Sequence, residues 1–196
     1  IFEEKIYSLI SVLVLSGIYF YNFTTPEFNV NVCQLPFWAI TVYYSWKIYN
    51  DKEIKFNDCL LVAIFASFGF LSKYLFIYLL ISIDLLFIYL ILIRKVKKFD
   101  FKYLIILEVF LIILVPHLIW LNQNEFITIK YGLQRTGLEQ SSIVDHIKFP
   151  IIFIIKQLGI LIPFIFLIFL LAKKIKFKFN FNDKKLIFLL FINILP

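Results

Sequence analysis

Methionine is absent from the 196 residues, glycine occurs only five times, and cysteine and histidine occur twice each. A glycine-rich phosphate loop is excluded, because no cluster of glycines stands between a strand and a helix pattern. Cys33, Cys59, His117 and His146 do not recur at the three- or four-residue intervals of a metal site, so no metal is assigned. Cys33 and Cys59 fall at opposite ends of expected membrane spans, about 30 Å apart, and no disulfide joins them. Two small buried thiols are expected instead. No Ser, His and Asp order and no paired-carboxylate motif is found.

Apolar residues are abundant: 62% of the chain is hydrophobic and the mean hydropathy is +0.90, values hard to carry in water without large exposed apolar patches. The apolar residues are grouped in runs at about 6–21, 34–49, 57–72, 75–93, 103–121, 151–172 and 186–196. The expected fold is all-α, a polytopic transmembrane helix bundle of about seven spans with the last one truncated, forming a single membrane domain over 1–196. Cations mark one side of it. Lys5, Lys47, Lys52, Lys55, Arg94, Lys95, Lys97, Lys98, Lys102, Lys173, Lys174, Lys176, Lys178, Lys184 and Lys185 lie between alternate runs, whereas Lys73, Lys130, Arg135 and Lys148 lie on the other side. The positive-inside rule makes the lysine-rich loops cytoplasmic. The net charge of +7 is thereby explained by topology and anionic lipid, and no nucleic-acid role is assigned.

The chain starts at Ile1 and stops about 11 residues into its last run, so it is expected to be an internal fragment of a longer protein. Asn22-Phe23 follows the first run where a signal peptide would need small residues, so that run is expected to be a retained span. No internal repeat of the transporter kind is visible. Ala63, Ala66 and Gly69, with Ser67 beside them, form a small-residue stripe that lets a neighbouring helix approach closely. Pro116 and Pro163 fall inside runs, while Pro36 and Pro150 are expected near span starts, where a missing N–H costs little. Residues 122–149 mix aromatic, amide and basic groups and are expected to form a partly helical segment at the interface. The 25 phenylalanines, with heavy Lys and Asn use, look like genome bias and say nothing about ligand stacking.

Lys73 is the most suggestive residue, because the connection Leu71-Ser72-Lys73-Tyr74 presents a cation at the outer interface where a phosphate could pair with it. The plainer alternative is a lysine snorkelling to lipid headgroups. Glu27, in the outer loop after Thr24-Thr25-Pro26, could bind a cation or a sugar hydroxyl or simply solvate the loop. The sequon Asn22-Phe23-Thr24 in that loop matters only in a glycosylating host. Asp84 falls near the middle of the fourth run, about 16 Å along the helix from Lys73, and such a carboxylate must be protonated, paired or facing a polar cavity. Glu108 and Lys156 are further ionisable groups within runs. His117 and Trp120 flank an outer span end as expected of an interfacial belt, and His146 with Asp145 and Lys148 reads as loop polarity.

Several segments together resemble a known family. Leu35-Pro36-Phe37-Trp38-Ala39-Ile40-Thr41-Val42-Tyr43 opens one span, Gly69-Phe70-Leu71-Ser72-Lys73-Tyr74 closes the next, and Pro116-His117-Leu118-Ile119-Trp120 is followed by Phe126-Ile127-Thr128-Ile129-Lys130-Tyr131. In order and spacing they resemble the membrane glycosyltransferases of the protein O-mannosyltransferase and lipid A aminoarabinose transferase type, over roughly residues 22–172. The resemblance implies a GT-C bundle that transfers a hexosyl or pentosyl group from a polyprenyl-phosphate-linked donor to a lipid, glycan or protein acceptor. Transfer would occur at the outer face of a bacterial inner membrane. It implies donor-phosphate contact for Lys73, with Tyr74, His117 and Glu27 as further candidates for the donor phosphate or sugar. Relatives often carry Asp near the place of Glu27. The family's principal catalytic acid lies in a large outer loop that precedes everything seen here, so the catalytic residue is unknown and the fragment alone is expected to be inactive. No cofactor is identified.

A transporter or flippase segment is the competing class, with Asp84, Glu108 and Lys156 lining a path; a structural subunit of a membrane complex is the third. An enzyme predicts Glu27, Lys73 and residues 122–149 around one outward cavity. A transporter predicts Asp84 and Lys156 around a midplane site.

Overall fold

The computed structural model describes residues 5, 8, 9, 11, 12, 28–95, 97–135, 143–171 and 183–195. Among them no strand occurs, and seven α-helices account for most of the chain. They are α1 (Val30–Asn50), α2 (Phe56–Ser72), α3 (Ile77–Ile88), α4 (Lys102–Gln123), α5 (Ile127–Arg135), α6 (Ile143–Leu171) and α7 (Lys184–Ile194). A single 3-10 turn, Tyr74–Phe76, leads into α3 and a π-helical turn, Tyr89–Ile93, continues it. Six of the seven apolar runs thus coincide with helices, while the first, 6–21, falls almost wholly outside the described residues. Tyr74–Ile93 and Lys102–Gln123 are long and apolar enough to cross a membrane, and Phe56–Ser72 is a shorter apolar helix.

The chain divides into two compact units, residues 1–116 with 180–196, and residues 117–179. In the first, α1 packs chiefly against α2. The small-residue stripe faces inward as expected: Ala63, Ala66 and Ser67 are buried, as are Thr41, Ser45 and Ile48 of α1. Short side chains let two helices approach closely where lipid supplies no hydrophobic drive between them. Phe37 of α1 lies against Phe65 and Phe68 of α2, with centroids 6.5 and 5.8 Å away. α7 packs on α3 and α1, where the fully buried Phe188 sits edge-on to Trp46, 4.9 Å between centroids.

Antiparallel α1 and α2 give this unit two chemically different ends. At the lysine-rich end, the Lys47 ammonium donates to Asp58 at 2.7 Å, tying the last turn of α1 to the first of α2. Lys97 donates to the carbonyls of Ile48 and Asp51, and Lys102 to that of Ile54 at 2.8 Å. Orphan carbonyls at and just beyond a helix C-terminus need such donors, and cations suit the negative end of the dipole. Burial, reinforced by the nearby Lys184 and opposed by Asp51, lowers the Lys97 pKa below the usual lysine value. The Tyr49 hydroxyl donates to the Lys184 carbonyl at 3.0 Å and so holds the start of α7 at this end.

Three sequence expectations need correction. Pro36 and Pro150 do not sit at helix starts, because α1 begins at Val30 and α6 at Ile143 and each helix has turned more than once before its proline. The polar residues ahead of the apolar runs join the helices: Asn29 caps α1, accepting from the N–H groups of Asn31 and Val32 at 2.9 and 3.3 Å. The two thiols are not alike, for Cys59 is buried while Cys33, inside α1, is only half-buried. Asp84 is not buried in its unit; it stands on the outer face of α3 among the exposed Ile81, Leu85 and Ile88.

In the second unit the end of α4 is closed by Asn124, whose N–H and side-chain amide both donate to Trp120 O, at 3.0 and 2.8 Å. Glu125 and Phe126 then adopt left-handed backbone, φ 50° and 56°, and redirect the chain into α5. Among its described residues, the expected interfacial segment is helical at the end of α4, over Ile127–Arg135, and from Ile143 in the first turns of α6. α6 runs for 29 residues with its described apolar side chains, such as Phe153, Ile155 and Ile162, largely exposed.

Candidate functional site

The end of the first unit opposite the lysine-rich loops carries the candidate site, and it is built by a tight turn. Lys73 is the only non-helical residue between α2 and the 3-10 turn. Its N–H donates to the Gly69 carbonyl at 3.1 Å, and its own carbonyl accepts from Phe76 N–H at 2.9 Å. The turn closes because Gly69 has no side chain: a Cβ there would stand 2.4 Å from the Phe76 ring. Phe76 is fully buried and meets the edge of Trp38 of α1, with centroids 5.5 Å apart.

This turn directs the Lys73 side chain across to α1. The ammonium donates to the Asn31 side-chain oxygen at 2.5 Å, in the first turn of the helix that Asn29 caps. Two of its three protons remain available for other acceptors. The first turn of α1 contains no acidic residue. A half-buried cation thus stands beside a helix N-terminus, whose leading N–H groups and positive dipole end also suit an anion.

Tyr74 follows directly, its ring 5.3 Å from that of Phe70. His117 belongs to the second unit, where it stacks on Trp120 with centroids 5.9 Å apart and planes at 14°. Lys73 and Tyr74 are therefore neighbours in one unit and His117 is placed in the other. Glu27 and the sequon at Asn22 lie outside the described residues. Glu108 and Lys156 are exposed, each within its own unit. Among the described residues no group of three or more His, Cys, Asp or Glu side chains could hold a metal ion.

Residues 1–120 match the family model of the dolichyl-phosphate-mannose-protein mannosyltransferases. The chain belongs to that family. Its members are membrane glycosyltransferases of the GT-C type, and the matched stretch includes Glu27, Lys73, Tyr74 and His117. No curated protein and no solved structure matches the chain. In this mannosyltransferase-family chain the match ends at the close of α4, so α5, α6 and α7 lie beyond it.

Asn31 was not singled out from sequence. The pattern Asn29-Val30-Asn31 ahead of an apolar run is an N-cap signal and could have placed the helix start there. That Lys73 reaches Asn31, 42 positions away in the chain, has no sequence signature.

Proposed function

We propose that the chain forms the donor-binding part of a membrane glycosyltransferase that uses a polyprenyl-phosphate-linked sugar, and that Lys73 contacts the donor phosphate. The observation that carries this reading is the Lys73 ammonium beside the first turn of α1, with two protons available and no acid in that turn. A phosphate oxygen there would accept charge-assisted hydrogen bonds from Lys73 while facing the positive end of the α1 dipole. Asn31 holds the lysine in place, and Tyr74, His117 and Glu27 are the further candidates for donor or sugar contact.

The lysine distribution supports a multi-pass protein of seven spans in a bacterial inner membrane, with the Lys73 end on the outer face. The acceptor is a lipid, glycan or protein at that face. The sugar transferred is a hexosyl or pentosyl group.

The test is transfer from a radiolabelled polyprenyl-phosphate sugar by membranes expressing the full-length protein, with Lys73→Ala and Lys73→Arg in parallel. Loss of a hydrogen bond to a charged group lowers transfer roughly 10- to 100-fold in Lys73→Ala, with partial recovery in Lys73→Arg. Retention of labelled polyprenyl phosphate by the purified protein should fall in the same order. Wild-type transfer and lipid retention in Lys73→Ala would return this lysine to an interfacial anchor. No transfer from any donor would favour transport.

A further inference from the structure

Beyond donor binding, one ionisable group in the span Tyr74–Ile93 is left without a counterpart. Asp84 stands midway along that span, about 15 Å from either end by the helix rise, so its short side chain reaches neither interface. The two sides of α3 differ. Leu79, Ile83 and Leu86 are buried in the core shared with α1 and α7, and the polar residue on that side, Ser82, is satisfied within its own helix, donating to the Tyr78 carbonyl at 2.9 Å. Asp84 is exposed with Ile77, Ile81, Leu85 and Ile88, and it takes no hydrogen bond or ion pair among the described residues. Its own helix cannot supply one, because mid-helix N–H groups are already engaged with carbonyls one turn back. A carboxyl group so placed in hydrocarbon is costly until it is neutral and hydrogen-bonded.

The face around it is patterned as a helix seam. Ile77, Ile81, Asp84 and Ile88 are spaced by four, three and four residues, the alternation that keeps one stripe of a helix turned toward a partner helix. Aliphatic side chains alone give such a stripe little reason to leave lipid tails, which are equally apolar, and an interhelical hydrogen bond supplies one. A single polar residue among apolar seam positions also fixes register. The occupant follows from the chemistry of a carboxylic acid, which is donor and acceptor at once. A two-fold axis sets a residue against its own copy, and two Asp84 side chains meeting there as neutral acids satisfy each other through a pair of O–H···O bonds. A partner of different sequence would need a donor of its own at this depth, whereas a second copy brings one by construction.

We infer that the exposed face of α3 is an interface between two copies of this chain, with Ile77, Ile81 and Ile88 packed across the axis and the two Asp84 carboxyl groups hydrogen-bonded to each other. The inference rests on Tyr74–Ile93 crossing the membrane and not on transferase activity, so its failure would leave the Lys73 site untouched.

The experiment is disulfide cross-linking of the full-length protein in phosphatidylcholine vesicles, with native cysteines replaced by alanine and one new cysteine added. Ile81→Cys and Ile88→Cys should each give covalent dimers. Leu111→Cys, at a similarly exposed apolar position of α4, should give few. Adding Asp84→Leu to Ile88→Cys should weaken dimerisation about tenfold through loss of the interhelical hydrogen bonds, although it makes the face more apolar. Asp84→Asn should keep the dimer, because an amide also donates and accepts. Glu108→Leu, which removes an exposed acid from α4, should leave it unchanged. Equal cross-linking at Leu111→Cys overturns the proposal by showing random collision. So does absence of cross-linking at both α3 positions, which would show the face covered within one copy or by lipid, or a dimer as stable in Asp84→Leu as in wild type.

Discussion

Replacing Gly69 by Ala tests the construction of the candidate site without touching its charged group. The new methyl would lie 2.4, 2.5 and 2.8 Å from three atoms of the Phe76 ring, where ordinary contact is about 3.4–4 Å, so the ring or helix α2 must retreat by about 1 Å. The ring has little freedom to do so, because it is fully buried and Trp38 meets it edge-on. Overpacking of this kind costs about 1–3 kcal/mol, and a clash this deep belongs at the upper end. Alanine recovers up to about 1 kcal/mol through its better helix propensity. The net expectation is a loss of about 2 kcal/mol.

Because Trp38 lies against Phe76, its fluorescence during unfolding of the purified protein in mixed micelles is a suitable signal. Phe76→Ala alone should cost about 3–5 kcal/mol through the cavity it leaves. In the double variant the methyl at 69 meets space where the ring was, so the two losses should fall short of their sum by about 2–3 kcal/mol. Strict additivity, or a Gly69→Ala protein as stable as wild type, would refute the argument that the missing side chain sets the turn. A second readout follows from the turn hydrogen bonds at Gly69 O and Lys73 O: a displaced Phe76 displaces Lys73, so transfer activity should fall in Gly69→Ala although no charge has changed.

Other perturbations have expected outcomes. Asp58→Asn, at a carboxylate side chain only 6% exposed, should cost about 3 kcal/mol or more in detergent unfolding, and Lys47→Gln should cost less because its own side chain is 32% exposed and water screens it. Ser45→Ala should be neutral or stabilising by up to about 1 kcal/mol, since its buried hydroxyl, like that of Thr41, has no hydrogen-bond partner to lose. A membrane-impermeant maleimide applied from outside should label Cys33 and not Cys59, which is 0% exposed, and labelling of Cys59 alone would invert the orientation. The Lys97 pKa is lowered, so between that lowered value and 10.5 the unfolded chain holds a proton that the folded one has released. Stability should therefore rise with pH across this window, relative to Lys97→Gln, and be flat on either side of it.

Helix positions were legible because each apolar run is long and bounded by lysine or asparagine; runs 34–49, 57–72, 75–93 and 103–121 all fall within observed helices or their continuous turns. Helix starts were less legible. Val30 to Cys33 did not belong to the apolar run as first bounded, yet the Asn29 cap brings them into α1, and this leaves Pro36 inside a helix. The small face of α2 was readable from the spacing of Ala63, Ala66 and Gly69, but the particular need for glycine at 69 was not, because it depends on a ring seven residues later folding back through a 3-10 turn. Lys97 and Lys102 read only as topogenic charge. Their second role, donating to carbonyls around the 48–54 connection, depends on loop geometry that no local pattern encodes. Asp84 read as an interior group because charge in a span is costly, whereas its exposure in this unit depends on which helix faces are turned inward.

The contrast between the two ends of the first unit bears directly on Lys73. At the lysine-rich end Lys97 and Lys102 meet backbone carbonyls and Lys47 meets a carboxylate, acceptors that a cation neutralises or that a helix C-terminus leaves unpaired. Lys73 also begins at a helix C-terminus, that of α2, and could have satisfied its carbonyls in the same way. Instead the Ser72 hydroxyl donates to the Phe68 carbonyl at 2.8 Å, and the Lys73 ammonium crosses to an amide oxygen at the start of α1. A neutral amide offers less than the carboxylate that Lys47 has, and the α1 dipole opposes a cation at this position. The arrangement is therefore incomplete as electrostatics until an anion joins it. A sulfate or pyrophosphate titration that stabilises the wild-type protein more than Lys73→Gln would show that deficit directly, and an equal effect on both would place the anion elsewhere.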